Sequence, residues 1–132
     1  MPVDCEEPMT TQRNTRQKQA IRSAFDKTER PLSPEEILQS ARDDVKGLSL
    51  ATVYRNLSAL VEEGWLLTVE IPGIPPRYER TGKEHHHHFH CNVCGKVYEV
   101  SGCAVQVKPK LPRGFHVTGH EFSLFGECPD CR

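Results

Sequence analysis

The chain has 132 residues, enough for one domain or two small ones, and 36% apolar with 27% charged residues exclude an intrinsically disordered protein. No apolar stretch approaches the ~20 residues that span a bilayer, and Met-Pro-Val-Asp-Cys-Glu-Glu at the start lacks the basic and apolar regions of a secretory signal, so a cytoplasmic protein is expected, with no membrane partner. A net charge of −1 gives the whole molecule no general attraction to nucleic acid.

The charge is uneven along the chain. Between Thr11 and Arg30, six basic residues (Arg13, Arg16, Lys18, Arg22, Lys27, Arg30) stand against two acidic ones, a local patch able to meet phosphates. A first helix is predicted from near Thr15 to Lys27, with Ala20, Ile21, Ala24 and Phe25 on one face, and Arg30-Pro31 breaks it. Ser33-Pro34-Glu35-Glu36 is a helix start, with a capping hydroxyl, proline in the first turn and Glu three residues after Ser. Ile37, Leu38 and Ala41 supply the buried stripe of that second helix.

A third helix begins after Ser49, and Leu50, Val53, Leu57, Leu60 and Val61 form its apolar stripe up to Gly64. Thr52, Arg55, Asn56 and Ala59 fall on its other side, with Tyr54 at the border. Leu66–Ile71 reads as a strand, and Pro72-Gly73-Ile74-Pro75-Pro76 as a turn returning through Arg77-Tyr78-Glu79. Three helices and a hairpin are the order of a winged helix-turn-helix, whose third helix reads bases and phosphates; a plain helical bundle with a wet polar face has the same spacing. The linker-like run from Arg80 to Lys83 then divides the chain into a helical region, residues 1–80, a hinge, 81–83, and a metal-rich region, 84–132.

Six cysteines and seven histidines in a reducing compartment point to metal before disulfides. Cys91-Asn92-Val93-Cys94-Gly95 is a zinc-knuckle turn: two intervening residues let both thiolates face one ion, and the glycine permits a tight backbone approach. With Cys128-Pro129-Asp130-Cys131 it makes a four-cysteine zinc site that staples a region too small to be comfortably stable alone. A redox role for these pairs lacks the expected βαβ context.

His85-His86-His87-His88-Phe89-His90 lies in the chain interior, unlike an expression tag. In a strand, His86, His88 and His90 point one way and His85 and His87 the other, with Phe89 and Cys91, so one strand can feed two metal sites. Further donors must come from Glu79, Glu99, Cys103, His116, His120 and Glu121. Cys103 reads equally as a ligand or a small core thiol, and Cys5 as incidental.

From about Thr15 to Cys131 the sequence resembles the ferric uptake regulator family of metal-responsive repressors. The resemblance is carried by Leu50-Ala51-Thr52-Val53-Tyr54-Arg55-Asn56-Leu57, by His85 to Cys94 with Gly95-Lys96-Val97, by Gly114-Phe115 and His120-Glu121, and by Gly126-Glu127-Cys128-Pro129-Asp130-Cys131. It implies an α+β fold, an N-terminal winged-helix DNA-binding domain followed by a small α/β dimerisation domain, and a homodimer closing on a palindromic DNA operator when a sensor metal binds. By position, Tyr54 and Arg55 match DNA-contacting residues, and the four paired cysteines match structural zinc ligands. Glu79, His86 and His88 match a hinge site, while His85, His87 and His120 match a second site. Glu99 holds the place of a carboxylate ligand in the peroxide-sensing branch. The implied co-repressor is Fe2+, Zn2+ or Mn2+.

Three features depart from that pattern. Arg30-Pro31-Leu32 stands where many members carry a hinge-site histidine. The segment from Ser101 to Arg113 is short, with Pro109 and Pro112 replacing much of an expected helix, and the usual second-site carboxylate is not evident there. Cys103 is a candidate substitute, with a softer, zinc-like preference. The alternatives are a peroxide-responsive regulator of the same family, a zinc enzyme, against which stands the lack of an H-E-x-x-H helix, and a passive metal-storage protein.

Overall fold

Three helices and a hairpin make the first unit: α1 (Met9–Lys27), α2 (Pro34–Ala41), α3 (Leu50–Glu62), β1 (Leu66–Val69) and β2 (Arg77–Arg80). The computed structural model describes residues 9–102 and 110–132, and the chain divides into two units between Thr81 and Gly82. α1 starts earlier than the apolar periodicity predicts, because the polar run from Thr10 to Asn14 contains no helix breaker.

The cap of α2 is as its sequence dictates. Ser33 Oγ accepts from the Glu36 amide at 3.2 Å, and a Glu36 carboxylate oxygen accepts from the Ser33 amide at 3.1 Å. Ser49 caps α3 in the same sense, accepting from the Thr52 amide at 3.2 Å. Gly64, at φ +83°, ends α3 in the left-handed conformation, with Trp65 N–H donating to Leu60 C=O and Gly64 N–H to Val61 C=O.

Ile21, Ile37, Val53, Leu57 and Leu60 are fully buried, and with Ala20, Ala24, Phe25, Leu32, Ala41, Leu48 and Leu66 they form the core between the helices and the hairpin. Two members of the predicted α3 stripe, Leu50 and Val61, are only half-buried. β1 pairs antiparallel with β2 in the register Leu66↔Arg80, and a bridge between Leu32 and Tyr78 ties the hairpin to the start of α2. β1 ends before Ile71, which is buried outside the ladder.

The second unit is a sheet in the order β4-β3-β5, with β3 (His86–Cys91) in the middle. β4 (Val97–Ser101) runs antiparallel to β3 through the Cys91–Gly95 turn. β5 (Ser123–Gly126) runs parallel to β3, which requires a long crossover, and the chain between Ser101 and Ser123 supplies it. The described part of this unit holds strands and no helix, while residues 103–109, including Cys103 and Pro109, lie outside the described residues.

Candidate metal centres and nucleic-acid face

Parallel pairing sets Gly126 opposite Cys91, and Asn92 N–H donates to Gly126 C=O at 2.8 Å. That register carries Cys128 and Cys131 to the knuckle turn. One ligand atom from each of Cys91, Cys94, Cys128 and Cys131 lies within 4.8 Å of all the others. Cys94 Sγ and Cys128 Sγ are 3.8 Å apart. Zn–S bonds of about 2.3 Å in a tetrahedron put sulfurs about 3.8 Å apart, so the donor set fits zinc.

The backbone prepares the thiols. Cys91 Sγ accepts from the amides of Cys94 at 3.5 Å and Cys128 at 3.4 Å. These contacts, the Cys94 amide foremost, outweigh burial and bring the Cys91 thiol down to about 6. The Cys128 thiol is also lowered, chiefly by a hydrogen bond with Tyr98, and Cys131 is raised to about 12, first by its hydrogen bond with Cys128. In a metal-free cluster the thiols thus share protons unequally, and a divalent cation takes the place of those protons.

The predicted alternation holds from His85 to His88. On one face His85, buried His87 and exposed His120 converge: His85 Nε2 lies 3.1 Å from His87 Nε2, and the His120 ring centre is 5.1 Å from that of His85 and 5.2 Å from that of His87. Burial first, then the neighbouring imidazoles, lowers the His87 pKa and keeps the ring neutral, the form that binds metal. Phe122 stacks on His87 with ring centres 3.9 Å apart. Sequence reasoning passed over Phe122, although its spacing of two from His120 was the available signal.

On the other face the His86 and His88 rings stand 4.8 Å apart, edge to face. Glu99 is the cross-strand partner of His88, and its Oε1 lies 3.8 Å from His86 Nδ1. His90 does not join them: its ring packs edge-on to Phe125 at 5.8 Å. Exposed His116 and Glu121 enter no donor cluster among the described residues. Glu79 stands on β2 in the first unit, opposite Leu67.

α3 presents Tyr54 and Arg55 to solvent, with Asn56 half-buried. A groove of about 380 Å³ between α1 and α3 is lined by Asn14, Thr15, Lys18, Thr52, Arg55 and Asn56, among others. Thr52, expected to reach outward, is instead 8% exposed. Its Oγ1 lies 3.0 Å from Ser49 Oγ and accepts from Arg55 Nη2 at 3.0 Å, while its carbonyl accepts from Asn56 Nδ2 at 2.9 Å. Capping is the physical reason: drawn toward Ser49, the Thr52 side chain sits low in the groove and orients its neighbours instead of projecting into solvent. Arg16 is exposed and lines a separate groove with Asp44 and Val45. Arg13 falls in α1, with its side chain outside the described residues. Asn14 was not singled out in the sequence, because no charge or periodicity marks it.

Known proteins agree with this architecture. A ferric uptake regulation protein of Helicobacter pylori is 30% identical over 123 residues, spanning 91% of this chain and 82% of that protein. A zinc uptake regulation protein of Mycobacterium tuberculosis is 32% identical over 125 residues, spanning 91% and 95%. Among solved structures, the Helicobacter pylori ferric uptake regulator, described as having three functional metal binding sites, superposes with a TM-score of 0.65 at 28% identity over 93% of this chain and 87% of that one. The sequence model of the ferric uptake regulator family matches residues 10–125. With the helix-wing unit, the four-thiol cluster and the histidine-rich strand in place, the chain belongs to the ferric uptake regulator family of metal-responsive, DNA-binding transcription regulators.

Proposed function

We propose that the chain is a homodimeric repressor whose affinity for a palindromic operator is raised by a second divalent metal, with zinc in the four-cysteine site holding the metal-rich unit together. The observation that carries this reading is the division of labour along β3: thiolates at its end fit a permanent zinc, while imidazoles on its two faces form separate, more exchangeable donor sets. Residues 1–80 serve as the DNA-binding domain, 81–83 as the hinge and 84–132 as the dimerisation domain. The cytoplasm is the fitting location for such a DNA partner, and no described helix is long and apolar enough to cross a membrane.

In this reading Tyr54, Arg55 and Asn56 face DNA, with Arg13 and Arg16 adding phosphate contacts. Glu79, His86 and His88 are the hinge ligands, with Glu99 beside them; His85, His87 and His120 form the second site. A metal that bound open and closed dimers equally would shift nothing, so regulation requires ligands that come together only in the closed form. Glu79 lies before the hinge and the two histidines after it, which is the arrangement such coupling needs.

Removing a hinge imidazole tests this. His88→Ala is expected to abolish metal-stimulated DNA binding while leaving one zinc per chain and the dimer intact. Undiminished stimulation would sink the hinge assignment. Metal-dependent turnover of a substrate would instead favour a zinc enzyme, and metal uptake without any effect on DNA affinity a storage role.

A further inference from the structure

One carboxylate in the second unit serves two cations. Glu99 stands opposite His88 in the β3–β4 ladder, with Oε1 3.8 Å from His86 Nδ1. Its other oxygen, Oε2, accepts a hydrogen bond from Lys83 Nζ at 3.0 Å. His86 Nδ1 is 2.7 Å from the Glu84 carbonyl, and with Nδ1 donating there, Nε2 is left as the ring's acceptor for a metal. Two imidazoles, a carboxylate and an ammonium thus share one face of the strand pair. The Lys83 and Glu99 side chains are only 24% and 21% exposed, so water screens their attraction incompletely.

A divalent ion taken up by His86 and His88, with Glu99 beside them, meets an ammonium already holding a carboxylate that would help to neutralise it. The ion must displace that ammonium or tolerate a like charge close by, and both cost affinity. We propose that Lys83 is a built-in competitor cation: it occupies Glu99 while this face carries no divalent ion, and it thereby sets how much metal is needed to fill the site. This role rests on the metal-dependent reading above and adds a tuning residue to it, not a ligand. Lysine suits the task, because its compact charge on a flexible stem lets go readily, whereas a guanidinium would grip both carboxylate oxygens.

The test uses the full chain with its four-cysteine zinc retained and Co2+ as the probe, titrated against a chelating indicator. The His88-dependent part of the cobalt absorption reports this face. Lys83→Met is expected to bind Co2+ there about tenfold tighter, the Lys83–Glu99 attraction that the ion no longer has to break, discounted for partial exposure. In a Glu99→Gln background the same substitution is expected to change affinity by less than about twofold, because there is nothing left to compete for. Addition of Co2+ is also expected to raise acylation of Lys83 by an amine-reactive reagent, read by peptide mass. Equal or weaker Co2+ binding by Lys83→Met, or unaltered Lys83 reactivity, overturns the inference. If His88→Ala leaves all cobalt binding unchanged, the hinge reading falls and this role with it; if His88→Ala weakens binding and Lys83→Met is indifferent, the Lys83 role alone is overturned.

Discussion

Thr52→Val keeps the shape of a buried side chain and puts a methyl group in place of one hydroxyl, the Oγ1 that accepts from Arg55 Nη2 and faces Ser49 Oγ, each at 3.0 Å. The backbone cap from Ser49 to the Thr52 amide survives, so α3 still forms. Losing the hydroxyl network is expected to cost about 1 kcal/mol, or roughly 4–8 °C in melting temperature for a small domain. The effect on recognition is larger. Without its anchor, Arg55 has to be ordered when DNA binds, at about 0.5–1.5 kcal/mol per side chain. A dimer places two copies on a palindrome, so affinity is expected to fall by about 5- to 150-fold. Fluorescence anisotropy of a labelled duplex, at fixed salt and saturating metal, reads this directly, with Thr52→Ser expected to stay within about twofold of the parent. Unchanged DNA affinity in Thr52→Val, with the expected fall in melting temperature, would refute the claim that the Thr52 hydroxyl pre-orients Arg55.

Acid tests the cap of α2. Burial pushes the Glu36 carboxyl up, but its ion pair and hydrogen bond with Arg30, with those to Ser33, hold it below the ordinary 4.5. A carboxyl lowered by folding adds stability that is present above pH 4.5 and is lost as pH falls below that value through the folded one, so Glu36→Gln is expected to flatten this part of a denaturation-versus-pH curve. At Gly126 a Cβ would stand 3.0 Å from Phe89 Cζ, so Gly126→Ala is expected to cost roughly 1–3 kcal/mol and loosen zinc retention, and Phe89→Leu to restore it. Cys131→Ser leaves three thiols at the zinc site; zinc is expected to be lost in a chelator dialysis, and hydrogen exchange to rise from Gly82 onward while the helical core stays protected.

Local chemistry made much of this legible in the sequence. Ser33 with Glu36 marked a capping box, Gly64 marked the end of α3, and the spacing of Ile21, Ala24, Val53 and Leu57 marked the core, because each signal lies within a turn or two of chain. The two C-x-x-C pairs named their metal, and the alternation of His85 to His88 separated the donor sets, because thiolate and strand geometry leave few alternatives. Longer-range features were hidden. The parallel pairing of β5 that seats Cys128 near Cys91, the stacking of Phe122 on His87 and the Lys83–Glu99 ion pair depend on how distant segments meet. Thr52 was misread for a subtler reason: helical position alone puts it on the polar side, and only the Ser49 cap turns its hydroxyl inward.

The central claim is that filling the imidazole donor sets switches DNA affinity while the cysteine site stays occupied. The direct measurement takes untagged protein holding one zinc per chain after dialysis against a moderate chelator. Fe2+, Mn2+ and Zn2+ are each titrated in against a duplex selected from random sequence by the metal-loaded protein. The account predicts that at least one of these metals raises affinity for that duplex by roughly a hundredfold or more, a coupling of about 3 kcal/mol or more, with no change in the retained zinc. DNA affinity that ignores every second metal while the imidazoles are shown to be filled would contradict it.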